Sequence, residues 1–126
     1  MYAPSVDSVP PVQVFGLPDS AATRKAVRFF RDRRIPLHVV DLRVRPIAPA
    51  ELRRFAERLG ARALLDEGGR AYRDAGLAWL RLDEAELIER LLAEPRLLRL
   101  PLVHRANRVT VGADEAGWRS LLAEPR

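Results

Sequence analysis

Ser20, His38 and His104 are the residues of this 126-residue chain with the most chemistry within reach. Ser20 follows Pro18-Asp19 and precedes Ala21-Ala22-Thr23-Arg24, where a loop gives way to a helix. A serine there can act as a nucleophile only if a base lies within hydrogen-bond reach; otherwise its oxygen is an N-cap, a role worth ~1 kcal/mol. The two histidines are the only neutral bases, and both fall in strand-like runs, so either could approach the loop only from a sheet face. No Gly-x-Ser-x-Gly elbow is present, Gly68-Gly69 lacks the lysine and hydroxyl of a phosphate loop, and no His/Asp/Glu spacing suits a metal. Asp83, Glu84 and Glu86 crowd one helical turn as capping charges. The chain has no cysteine, which excludes disulfides, thiolate metal sites and intrinsic thiol redox.

The elements that must position Ser20 are legible in the same stretch. Val12-Gln13-Val14-Phe15 is a short strand ended by Gly16 and Pro18. A helix is predicted from about Ala21 to Arg33, with Asp19 or Ser20 as N-cap and Thr23, Ala26, Val27 and Phe30 inward. Leu37–Leu42 is a second strand, and strand, helix, strand at this spacing predicts a parallel pair. An all-helical insertion follows at about residues 48–95. Within it Pro49 opens a helix with Leu52, Phe55, Ala56 and Leu59 inward, Arg62–Leu65 and Ala71–Ala75 are short helices, and Asp83 with Glu86 forms a capping box ahead of Leu87, Ile88, Leu91 and Leu92. Two strands, Leu100–His104 and Arg108–Val111, then flank Arg105-Ala106-Asn107, a turn in which Asn107 is expected to be left-handed. Asp114 starts a last helix anchored by Trp118. The domain is expected over residues 12–122, with residues 1–11 a flexible leader and 123–126 a tail.

At 48% hydrophobic the chain can bury one core and is too short for two ordinary domains. No run is long and apolar enough to span a bilayer, and Met1–Pro11 lacks the features of a signal peptide, so no membrane partner and a cytoplasmic monomer are expected. The net charge is +5, and of the 22 basic residues only Lys25 is a lysine. Arg24, Lys25, Arg28, Arg31, Arg33 and Arg34 cluster on the first helix and its exit, a patch able to attract anions. The aromatic interleaving that single-strand nucleic-acid binders use for stacking is missing, which argues against nucleic acid as a direct ligand.

Phe15-Gly16-Leu17-Pro18-Asp19-Ser20, with Arg24 four residues on, resembles the active-site loop of the arsenate-reductase-like (ArsC) family, whose loop reads aromatic, Gly, x, Pro, x, Cys, three variable residues, then Arg or Lys. Arg62-Ala63-Leu64-Leu65, Ala85–Pro95 and Leu97–Val103 match further family segments in order. The resemblance implies an α/β thioredoxin-like fold: a central mixed sheet built from the strand-helix-strand unit and a C-terminal hairpin and helix. It also implies a cis proline at Pro101 facing the loop. Ser20, Ala21, Thr23 and Arg24 would then be the ligand or anion contacts, and Leu100 and Pro101 the groove.

In the family a loop thiolate attacks the oxyanion, arginines hold it, and glutathione or glutaredoxin completes the cycle. Ser20 stands here for that cysteine, Leu100 for the arginine before the cis proline (Arg99 is one place off), and Asp66 for an arginine after the Ala-Leu-Leu segment. The resemblance therefore implies a non-catalytic relative that binds a protein partner or a small anion. Two alternatives stand beside it: an enzyme in which glutathione supplies the sulfur, and a regulator that binds RNA polymerase as the related Spx proteins do, without their Cys-x-x-Cys switch.

Overall fold

The computed structural model describes residues 10–122; the proposed tail and the first nine residues of the leader lie outside that range. Strand β1 (Val12–Gly16) alternates its side chains between two apolar layers, as a strand buried on both faces must. Val12 and Val14 point toward helix α1 (Ala21–Asp32), and Phe15 points toward the insertion. Strand β2 (Leu37–Asp41) lies parallel to β1, while β3 (Leu102–Arg105) is antiparallel to β1 and β4 (Arg108–Val111) antiparallel to β3. The sheet order is β2-β1-β3-β4, mixed as expected, with β2 and β4 at its edges.

One face is covered by α1 and by α5 (Glu115–Ser120). Phe29 and Phe30 meet the fully buried Trp118 with ring centroids 5.6 and 6.4 Å apart. Helical spacing alone predicts Phe30 inward; Phe29 is buried as well, against the indole. The other face carries the insertion: α2 (Pro49–Leu59), α3 (Arg70–Asp74) and α4 (Glu84–Ala93), with 3-10 turns at Ala61–Leu64, Leu77–Trp79 and Pro95–Leu97. Its caps follow the sequence. Glu86 N–H donates to Asp83 Oδ1 (2.8 Å) while Glu86 Oε1 accepts from Asp83 N–H (3.0 Å), and Glu51 Oε1 accepts from Ala48 N–H (2.9 Å). Among the described residues no helix is long and apolar enough to cross a membrane.

The β3–β4 hairpin differs from the spacing-based expectation. Arg105 pairs with Arg108 in the ladder, so the connection is the two residues Ala106-Asn107, and Ala106 rather than Asn107 takes the positive φ, at 52°. The cause is burial. Arg105 is only 8% exposed and donates from Nε to the Pro10 carbonyl (3.0 Å) and from Nη1 to the Leu121 carbonyl (2.8 Å), which holds it in the strand. Arg108 Nη1 donates to the Ser120 carbonyl (2.6 Å), so two guanidinium groups meet the carbonyl end of α5, where the helix dipole favours cations.

Gly16 sets how closely α1 approaches the sheet. A Cβ built there would collide with the Thr23 side chain, itself buried at 4% exposure. Gly16→Ala is expected to cost about 1–3 kcal/mol by overpacking a site that cannot open without moving α1. Urea unfolding checks this: a midpoint equal to that of the parent chain would show that α1 yields freely.

Candidate functional site

The loop Leu17–Ser20 leaves the carboxyl end of β1 and turns into α1, so the first amides of α1 point out of the sheet end. Ser20 is the N-cap: its backbone is extended (φ −81°, ψ 116°) and its Oγ accepts from Thr23 N–H at 3.1 Å. Asp19, the other candidate cap, turns away and pairs with Arg96 at 3.1 Å. Its carboxylate therefore does not occupy the α1 amides, and its charge is balanced locally.

The far wall is stitched by backbone hydrogen bonds. Arg99 N–H donates to Leu64 O and Asp66 N–H to Leu97 O, each at 2.8 Å, and Leu65 and Leu98 form an isolated antiparallel bridge. This zipper between the insertion and the segment entering β3 brings Asp66, Arg96, Arg99 and Leu100 opposite Asp19 and Ser20. The resulting cleft has a volume of about 410 Å³. Gly112, at φ 73°, lets the Arg99 stem lie across it; a Cβ there would sit 3.1 Å from Arg99 Cδ. The Leu100–Pro101 bond is cis, with Leu100 lining the cleft and Pro101 buried behind it.

The expected contact residues do not all converge. Ser20 and Leu100 share the cleft, and Ala21 opens α1 beside it. Thr23 and Arg24 line a different depression, on the β2 side of α1, where Arg24 Nη1 donates to the Pro18 carbonyl at 2.7 Å. Arg24 thus braces the loop from behind. The cleft takes its cations from Arg96 and Arg99 instead. Nothing local in the sequence marks Arg96, because its partner Asp19 lies 77 residues away.

Neither histidine reaches Ser20. Gln13, His38 and His104 are cross-strand partners at the amino-terminal end of β1, away from the loop. His104 Nε2–H donates to Gln13 Oε1, and Gln13 Nε2–H donates to His38 Nδ1 at 3.0 Å, so the row is closed on itself. His38 is exposed and His104 is half-buried, stacked on Phe15 and edge-on to Phe55. Burial, with the nearby Arg54 charge, holds the His104 pKa below its ordinary 6.5, outweighing Glu51.

The unfolded chain therefore binds a proton on this ring near pH 6.5 while the folded chain does so only at lower pH, so stability falls as pH drops below about 6.5 and levels off once the folded ring protonates. Urea midpoints between about pH 7.5 and 5 should fall more steeply for the parent than for His104→Gln. Parallel curves would remove His104 from the account.

A helix N-terminus beside a cis proline, on a β2-β1-β3-β4 mixed sheet with helices on both faces, defines a thioredoxin-like α/β protein. The ArsC family model matches residues 15–121, and the chain belongs to that family. Solved structures agree on the fold. The YffB protein superposes with a TM-score of 0.79 at 24% identity, covering 89% of this chain and 99% of its own. An ArsC family related protein from Bacteroides fragilis gives 0.78 at 20% identity, covering 87% and 96%. An arsenate reductase from Vibrio cholerae gives 0.74 at 19%, covering 90% and 97%. No curated protein matches the chain by sequence.

Proposed function

We propose that this chain is a thiol-free ArsC-family protein that binds a small anion, or an acidic group of a protein partner, in the cleft between Ser20 and Leu100, without redox turnover. The observation that carries the reading is the state of Ser20. In the only position where the family loop pattern calls for sulfur, the chain has a hydroxyl, and that oxygen already accepts the Thr23 amide as a cap. No histidine lines the cleft to take its proton, since both lie at the other end of β1, and of the two carboxylates that do line it Asp19 is paired with Arg96. What the cleft keeps for holding negative charge is the amino-terminal amides of α1 and Arg99, which has no carboxylate partner among the described residues; Asp66 on the same rim opposes them.

Arsenate, phosphate and reduced glutathione, each titrated to about millimolar into labelled protein, provide the test, because a helix N-terminus alone gives only weak anion affinity. The reading expects saturable amide shifts at Ser20, Ala21, Arg99 and Leu100 with an oxyanion, and no arsenate reduction when glutathione and glutaredoxin are supplied. Reduction at the rate of a cysteine-bearing relative would replace it with the glutathione-assisted enzyme. Shifts induced by glutathione alone at Ser20, Ala21 and the neighbours of Pro101 would point the same way.

A further inference from the structure

The depression on the other side of α1, about 380 Å³ and sharing only Leu17 with the Ser20 cleft, lies along the open edge of the sheet. Its floor is apolar, with Val27 from α1 facing Val39 from β2, and Val39 is 39% exposed. Arg28 and Arg31 stand along its rim, exposed and without an acidic partner among the described residues. Of the two acids lining it, Asp41 is taken by Arg43 at 3.0 Å, so Asp32 is the one left to offset these cations.

The backbone of β2 is equally unfinished. Val12 N–H donates to Pro36 O and Leu42 N–H to Gly16 O, and in a parallel ladder this sets the even-numbered residues of β2 toward β1. Leu37 and Val39 consequently turn their N–H and C=O away from the sheet, along an edge with no covering element among the described residues. A free ladder, an apolar notch beside it and cations above it form one surface.

The geometry points to a docking site for an extended acidic segment of a partner protein. The segment adds as a strand outside β2, exchanges main-chain hydrogen bonds with Leu37 and Val39, seats an apolar side chain between Val27 and Val39, and sets carboxylates on Arg28 and Arg31. A nucleic acid matches the cations but neither the outward N–H and C=O pairs nor the apolar notch, and no aromatic side chain lines the depression for stacking. A second copy of this chain paired β2 to β2 would bring both sets of Arg28 and Arg31 together, which like-charge repulsion opposes.

The probe is a short acetylated peptide alternating glutamate and valine, titrated into labelled protein at about 0.1 M salt, with a lysine-valine peptide as control. The expected result is saturable shifts at Val27, Arg28 and Leu37–Asp41 with the acidic peptide only, leaving Ser20 and Leu100 unmoved. Affinity should drop about tenfold or more in Arg28→Glu/Arg31→Glu, at two exposed positions outside the core, with an unchanged amide spectrum away from α1 as the check on folding. Val39→Pro, which deletes an outward N–H but no bond to β1, should also abolish binding. No shift at millimolar peptide, equal binding of the lysine peptide, shifts centred on Ser20, or full affinity in the double-glutamate variant would each overturn the proposal.

Discussion

Replacing Trp118 by alanine should lower the unfolding free energy by about 3–5 kcal/mol, a large share of the roughly 5–15 kcal/mol a domain of this size has. The indole is fully buried, meets Phe29 and Phe30, and is the largest side chain in the layer that joins α1 and α5 to Val12, Val14 and Val103. Its Nε1 has no hydrogen-bond partner among the described residues, so the expected loss is one of packing. Trp118→Phe should therefore be far milder than Trp118→Ala, since it leaves a smaller void and removes an unsatisfied donor. Guanidinium unfolding of the two variants separates the effects; equal losses in both would mean that the indole nitrogen has a partner after all.

Ser20→Cys should create a thiol whose pKa lies about a unit below the ordinary 8.5. The cause is the arrangement at the start of α1: the new sulfur faces the helix amides, whose dipole favours an anion by roughly 0.3–1 kcal/mol when exposed and up to ~2 when partly buried, where about 1.4 kcal/mol is one pKa unit. Arg99 adds to that effect, Asp66 subtracts from it, and the Asp19–Arg96 pair nearly cancels. Absorbance of the thiolate against pH, or alkylation rates, reads the value directly. A pKa at or above the ordinary thiol would show that the amides are not presented to this position. Even an activated thiol is expected to turn over arsenate poorly, because Leu100 and Asp66 stand where the family resemblance calls for arginines.

The sequence was informative wherever the signal is local. The capping box at Asp83 and Glu86, Pro49 at the head of α2 and the apolar spacing of α4 all depend on neighbours within a turn or two, and each appears as read. The hairpin was misplaced by one residue because its register is fixed by Arg105 reaching Pro10 and Leu121, contacts no turn rule contains. The same limit governs the cleft. Ser20 as a cap and the cis bond before Pro101 were accessible, whereas the Asp19–Arg96 pair and the separation of Arg24 from Ser20 depend on how the insertion folds back.

The zipper that joins Leu64–Asp66 to Leu97–Arg99 divides the recess into two separately built rims. The loop that carries Ser20 belongs to the strand-helix unit, but Asp66 arrives from the helical inset and Arg96 from the turn that leaves it, so one rim of the recess is set by that inset and its exit. What the recess recognises can therefore change on this rim without any change in the loop that carries Ser20.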